Sequence, residues 1–233
     1  MRVLLLGVLM TTLLLAGAAK ADVAQITLGT TQYTGGDITF TNTGTATQIS
    51  FNGTLTGNGY VEPAGTQGTF TMSLSGTPTL GSPASNVYPV SMNGSTIQFQ
   101  YYIGSSPQTA TSELTGTINL TTVTDGSPTP RVNALLTVSG STGIFASEWA
   151  VGNIANMDFT INLCPVGDTC TQVPPSGNYT SVDSVYQTAG TSTSGFLSSG
   201  EVLPAPVPEP ASFALLGSGL LLTGSLAKAR RRK

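Results

Sequence analysis

The chain has 233 residues with eight Lys plus Arg, eleven Asp plus Glu and no His, and only 8% of its residues are charged. Ten acids against the single Arg131 give the stretch from Asp22 to Val207 a formal charge of −9, which disfavours nucleic acid and anionic lipid as its partners. Without His there is no usual general base, no commonest metal ligand and no His-containing triad, and without Lys in that stretch there is no Schiff-base or P-loop chemistry. At the N-terminus, Met1 and Arg2 precede the apolar run Val3 to Leu15. That run is shorter than the roughly 20 residues of a spanning helix. Ala19-Lys20-Ala21 then supplies the small-x-small pattern that signal peptidase accepts, so residues 1–21 are expected to be a signal peptide cleaved before Asp22.

From Asp22 onward the dominant pattern is period-2 alternation in short runs. Short strands are expected around Ile26, around Phe40 and around Ile49 with Phe51, followed by a longer one in which Phe70, Met72 and Leu74 alternate with Thr and Ser. Tyr88 with Val90 and then Ile97, Phe99, Tyr101 and Ile103 flank Asn93-Gly94, a pair suited to a type I′ turn, which predicts a tight hairpin from Asn86 to Ile103. Leu114, Gly116, Ile118 and Leu120 form the next inward row, then Val132, Ala134, Leu136 and Val138, then Met157, Phe159, Ile161 and Leu163. Asn52-Gly53, Asn58-Gly59 and Asp125-Gly126-Ser127-Pro128 are expected turns. About nine or ten strands with no helical periodicity predict an all-β fold, an antiparallel, jelly-roll-like β-sandwich forming one domain over residues 22–188.

Chemistry-bearing residues are sparse along this domain. Cys164 and Cys170 are the only cysteines, and in an exported chain they are expected to form a structural disulfide pinning the loop after the Met157 to Leu163 strand. Two thiols and no His are too few for a zinc site, so no metal or cofactor is expected; calcium is left open because loop carboxylates suit it, although no Asp-x-Asp-x-Asp-Gly run exists. Glu113, Glu148 and Asp158 are the carboxylates near candidate strands, but no spacing pairs them across a scissile bond, so they are expected to be solubilising rather than catalytic. Among the aromatic residues Tyr60, Tyr88, Phe99 and Tyr101 are expected mostly in the core. Alternation puts Tyr102 on the polar face with Gln98 and Gln100, and Tyr102 and the single Trp149 are the candidates for stacking on sugar rings.

Residues 189–207, with Thr191-Ser192-Thr193-Ser194-Gly195 and Pro204 and Pro206, are expected to be a Ser/Thr/Pro-rich linker; the alternative is a last strand built on Phe196, Leu197, Val202 and Leu203. Next come Pro208-Glu209-Pro210, an uncharged stretch from Ala211 to Ala227, and the basic tail Lys228 to Lys233. As a helix residues 211–227 reach about 25 Å, enough for a short transmembrane helix whose basic end stays cytoplasmic. Pro-Glu-Pro, apolar helix and terminal Arg cluster in this order resemble the PEP-CTERM sorting signal of exported bacterial proteins. The resemblance implies that an exosortase-type membrane protease recognises Pro208, Glu209 and Pro210 during a transient inner-membrane stage facing the periplasm, and passes the body to the cell surface or exterior. It further implies association with exopolysaccharide or biofilm matrix. The expected role is a non-catalytic surface or matrix protein, the alternatives being a carbohydrate-binding module or, third, a glycan-active enzyme.

Overall fold

The computed structural model describes residues 25–29, 37–62, 64–147, 149–166 and 178–204. The expected signal peptide with Ala19, Ala21 and Asp22, Glu148, Cys170, and the whole C-terminal segment with Pro208, Glu209 and Pro210 lie outside the described residues. No described helix is long and apolar enough to cross a membrane.

Twelve strands form among the described residues: β1 (Gln25–Leu28), β2 (Ile38–Asn42), β3 (Thr47–Phe51), β4 (Thr54–Glu62), β5 (Thr66–Ser75), β6 (Thr79–Leu80), β7 (Val87–Ser91), β8 (Thr96–Ile103), β9 (Ser112–Thr124), β10 (Arg131–Ser141), β11 (Ile154–Leu163) and β12 (Ser192–Pro204). One short helix, α1 (Val182–Gln187), precedes β12; the Ser181 side chain accepts from the Ser184 amide at its N-cap. Each predicted inward row is buried in the long strands, from Leu114 to Leu120, from Val132 to Val138 and from Met157 to Leu163.

All pairings are antiparallel within a single sheet, and the sheet closes on itself twice. Following the ladder β1-β4-β5-β8-β9-β10-β11-β12 returns to β1, and following β9-β10-β11-β12-β2-β3-β6-β7 returns to β9. The four long strands β9 to β12 therefore belong to both closed rings. β9 pairs with β8 through Ser112 to Ile118 and with β7 through Val123 and its neighbours, while β12 pairs with β2 through Ser192 to Gly195 and with β1 through Gly200 to Val202. One ring thus occupies the end of these strands that carries Ser112, Ser141, Ile154 and Pro204, here called the lower end, and the other ring occupies the upper end. An eight-stranded ring is just wide enough for its own side chains to fill, and one continuous apolar cluster runs through both.

Each ring is plugged. At the lower end the β10–β11 connection turns Phe145 and Trp149 inward, and Phe145 meets Tyr101 edge-on at 5.7 Å. At the upper end α1 buries Val182 and Val185. Asn42 donates from Nδ2 to the carbonyls of Val185 and Tyr186, and the Asp183 amide donates to Asp125 Oδ2 on the β9–β10 turn.

Several expectations are corrected here. The sandwich of nine or ten strands is a twelve-stranded sheet closed into rings, because the additional β1–β12 and β9–β7 pairings join what would otherwise be sheet edges. Asn93 and Gly94 do form a turn with positive φ angles of 49° and 76°, but the strands beside it do not pair with each other. β7 pairs with β6 and β9, and β8 with β5 and β9, so the turn passes the chain from the upper ring to the lower one. Asn58-Gly59 is not a turn but the middle of β4. Residues 192–204, expected as linker, are instead the strand that was the alternative, β12, so the folded body extends past Thr188 to Pro204.

Candidate functional site

The outer face of β9 to β12 carries a shallow concave surface lined by polar residues and leucines. In antiparallel ladders side chains at registered positions on adjacent strands stand side by side. One such row runs Thr122, Asn133, Asp158, Glu201, Thr27 and Tyr60 across six strands from β9 through β10, β11, β12 and β1 to β4. The next row contains Asn119, Leu135, Asn156 and Leu203. Between them lies a groove of about 210 Å³ lined by Thr121, Asn133, Leu135, Asn156, Asp158, Glu201 and Leu203.

Internal contacts set the groove's polarity. Asp158 and Glu201 are directly opposed across β11 and β12, where like charges repel. Each has its own partner: Arg131 donates from Nη2 to Asp158 Oδ2 at 3.3 Å, and Gln25 donates from Nε2 to Glu201 Oε2 at 2.8 Å. A register shift next to Asn133 turns this part of β9 and β10, and Asn133 Nδ2 donates to Thr122 Oγ1 at 3.1 Å while Thr121 Oγ1 donates to the Asn133 carbonyl. Carboxylate acceptors and amides therefore surround two leucines. That combination suits a hydroxyl-rich ligand with apolar C–H faces.

The residues singled out from the sequence are dispersed. Trp149, expected as a stacking platform, is 1% exposed and plugs the lower ring, so it has no face to offer a sugar. Tyr102 is half-buried on β8 between Thr69 and Glu113. Tyr60, expected in the core, is 48% exposed and stands at the end of the Asp158–Glu201 row. Glu113 accepts from Gln100 Nε2 at 2.6 Å and lies nine positions along β9 from Thr122, about 30 Å from the groove row at the usual strand rise. Cys164 carries no free thiol. Among the described residues no group of three or more Cys, Asp or Glu side chains is placed to hold a metal ion.

Of the groove residues only Asp158 was singled out from the sequence; Thr121, Asn133, Leu135 and Asn156 were not, and Glu201 and Leu203 lay in the expected linker. The signal for Glu201 and Leu203 was the apolar set Phe196, Leu197, Val202 and Leu203 behind the alternative of a last strand, of which Phe196, Leu197 and Val202 are buried. No curated protein and no solved structure matches the chain. Residues 206–233, which follow the folded body after Pro204, match the family model described as the PEP-CTERM protein-sorting motif, so the chain carries the signal of an exported, exosortase-sorted protein.

Proposed function

We propose that this is a non-catalytic protein of the cell surface or extracellular matrix, delivered there by exosortase processing and associated with exopolysaccharide. The observation that carries this reading is the sorting motif at 206–233, joined directly to a β body whose strands close into rings. Closure leaves few unpaired strand edges, which suits a protein that must persist outside the cell without edge-to-edge aggregation. Signal peptidase acting before Asp22, a Cys164–Cys170 disulfide, no required cofactor and no catalytic residue belong to the same reading. The test replaces Pro208, Glu209 and Pro210 with Ala in the native host. The expected result is accumulation in the inner-membrane fraction of a form whose mass retains the C-terminal tail, while the wild type appears at the surface or in the medium without it. Equal release of both forms would refute exosortase handling.

A carbohydrate-binding role is the second reading, and the groove between Asn133, Asn156, Asp158 and Glu201 favours it over the Tyr102–Trp149 platform. Retention of the wild-type protein on host exopolysaccharide, lost in an Asn133→Ala plus Asn156→Ala variant, would support it. Retention unchanged by that double substitution would remove the groove from consideration.

A further inference from the structure

The large hydrophobic side chains left exposed are not spread evenly. Tyr60, Ile144, Val151, Ile154, Val166 and Leu203 are the six exposed among the described residues, and all but Val166 sit at or near the lower end. The β10–β11 connection there is two-sided. It turns Phe145 and Trp149 inward to plug the ring and displays Ile144 and Val151, 45% and 68% exposed, on its outer side. Ile154 opens β11 beside Thr137 of β10, and Leu203 lies opposite Asn156, so both continue the apolar rim onto the outer face. Isolated exposed hydrophobics need no explanation, but clustering at one end of a closed β body does.

The chain itself indicates what that end faces. β12 ends at Pro204, registered against Ala155 at this same rim, and the uncharged stretch begins at Ala211. Six residues, 205–210, separate them, and six residues span at most about 20 Å. Resting on the reading that the C-terminal segment inserts in the bilayer, we propose that the lower rim, through Ile144, Val151, Ile154 and Leu203, is a lipid-facing surface that settles into the headgroup region of the membrane before the body is released. No Lys or Arg other than Arg131 lies in the folded body, and Arg131 begins β10 at the upper end. Exposed Glu62 lies at the lower end, so the rim takes neutral rather than anionic headgroups. Release of the body then requires both cleavage and detachment of this rim.

Trp149, the only tryptophan, is a built-in reporter two residues from Val151. The chain, purified with its C-terminal segment from cells lacking exosortase, is reconstituted in phosphatidylcholine vesicles with or without brominated acyl chains, which quench tryptophan on close approach. The proposal expects brominated lipid to lower Trp149 emission in the wild type, the loss to disappear in an Ile144→Ser, Val151→Ser, Ile154→Ser variant, and Val166→Ser to behave as wild type. Val151→Ser alone, in a loop, gives the same direction should the triple variant misfold, which a shifted Trp149 emission in detergent would reveal. Flotation separates the two readings. If wild type floats with the vesicles but Trp149 is not quenched, the rim proposal is overturned while membrane insertion stands. If wild type does not float, insertion fails and the rim proposal falls with it. Rim-dependent dimers in place of quenching would overturn the lipid assignment in favour of a second copy of this chain.

Discussion

Replacing Gly68 with Ala tests whether Tyr101 is the element around which the lower ring is packed. Gly68 on β5 and Gly59 on β4 are registered partners, and both lie against the Tyr101 ring. A Cβ added at Gly68 would stand 2.6 Å from Tyr101 Cζ and Oη, and one at Gly59 would stand 2.8 Å from Cε2. Ordinary carbon contacts are about 3.5–4.0 Å, so the ring has to retreat by about 1 Å. It has little room to do so, because Tyr101 is fully buried and its other side meets Phe145. Overpacking of this kind costs about 1–3 kcal/mol, while Gly→Ala recovers about 0.4–1 kcal/mol from the unfolded chain. The net expectation is a loss of about 1–2 kcal/mol, or about 2–8 °C in Tm for a body of this size. The Tyr101 hydroxyl lies near the Gly68 main chain without a hydrogen bond of acceptable geometry, so Tyr101→Phe alone is expected to be neutral or mildly stabilising. In the Gly68→Ala background it removes one of the clashing atoms and should recover part of the loss. Urea unfolding of the four proteins of this cycle measures both the loss and the coupling. A Gly68→Ala protein as stable as wild type, or strictly additive effects, would refute the packing argument.

Alkaline unfolding is expected to report the two buried tyrosines. Burial, reinforced for Tyr88 by its hydrogen bond to Asp183, raises the pKa of Tyr88 and burial raises that of Tyr101, both beyond the ordinary tyrosine range. A raised folded pKa means the folded state holds its protons longer than the unfolded state. The associated stability is therefore complete below the ordinary value near 10 and declines as pH rises above it. Absorbance titration should show these two ionising only with unfolding, with Tyr88→Phe flattening the pH dependence; free titration of every tyrosine in the folded protein would contradict this. Alkylation without reductant should leave both Cys164 and Cys170 unlabelled, and reduction should cost about 2 kcal/mol from the short ring that is opened. Arg131→Ala should change stability by less than about 1 kcal/mol, because its ion pair with Asp158 is solvent-exposed, and any effect should shrink at high salt in the same urea assay.

The inward rows were legible because alternation is a local property. Wherever Phe, Ile, Leu, Met or Val recurs at every second position, one face must leave water, and β5, β8, β9, β10 and β11 bury the residues that this rule selects, with Leu74 and Ile103 at the strand ends only partly buried against the core. The groove was not legible, because its residues come from strands far apart in sequence. Asp158 meets Glu201 only through the β11–β12 register, and Trp149 is hidden only because its loop folds back under a ring that other strands complete.

The C-terminal address was likewise carried by contiguous residues. Pro208-Glu209-Pro210, the uncharged stretch and the basic tail need no partner from elsewhere in the chain to be read, and together they match the sorting motif. What the tertiary structure alone decided is where small residues are required. Gly59 in β4 looks like a turn, and Gly195 and Gly200 make β12 look like a linker, yet each is a strand position where a neighbour comes too close for a side chain. A Cβ at Gly195 would lie 2.5 Å from the Asn162 carbonyl oxygen and one at Gly200 2.6 Å from that of Asp158. Propensity assigns such glycines to loops because it measures backbone freedom. Their place in the central sheet follows from the approach of another strand, which is a long-range property of the fold.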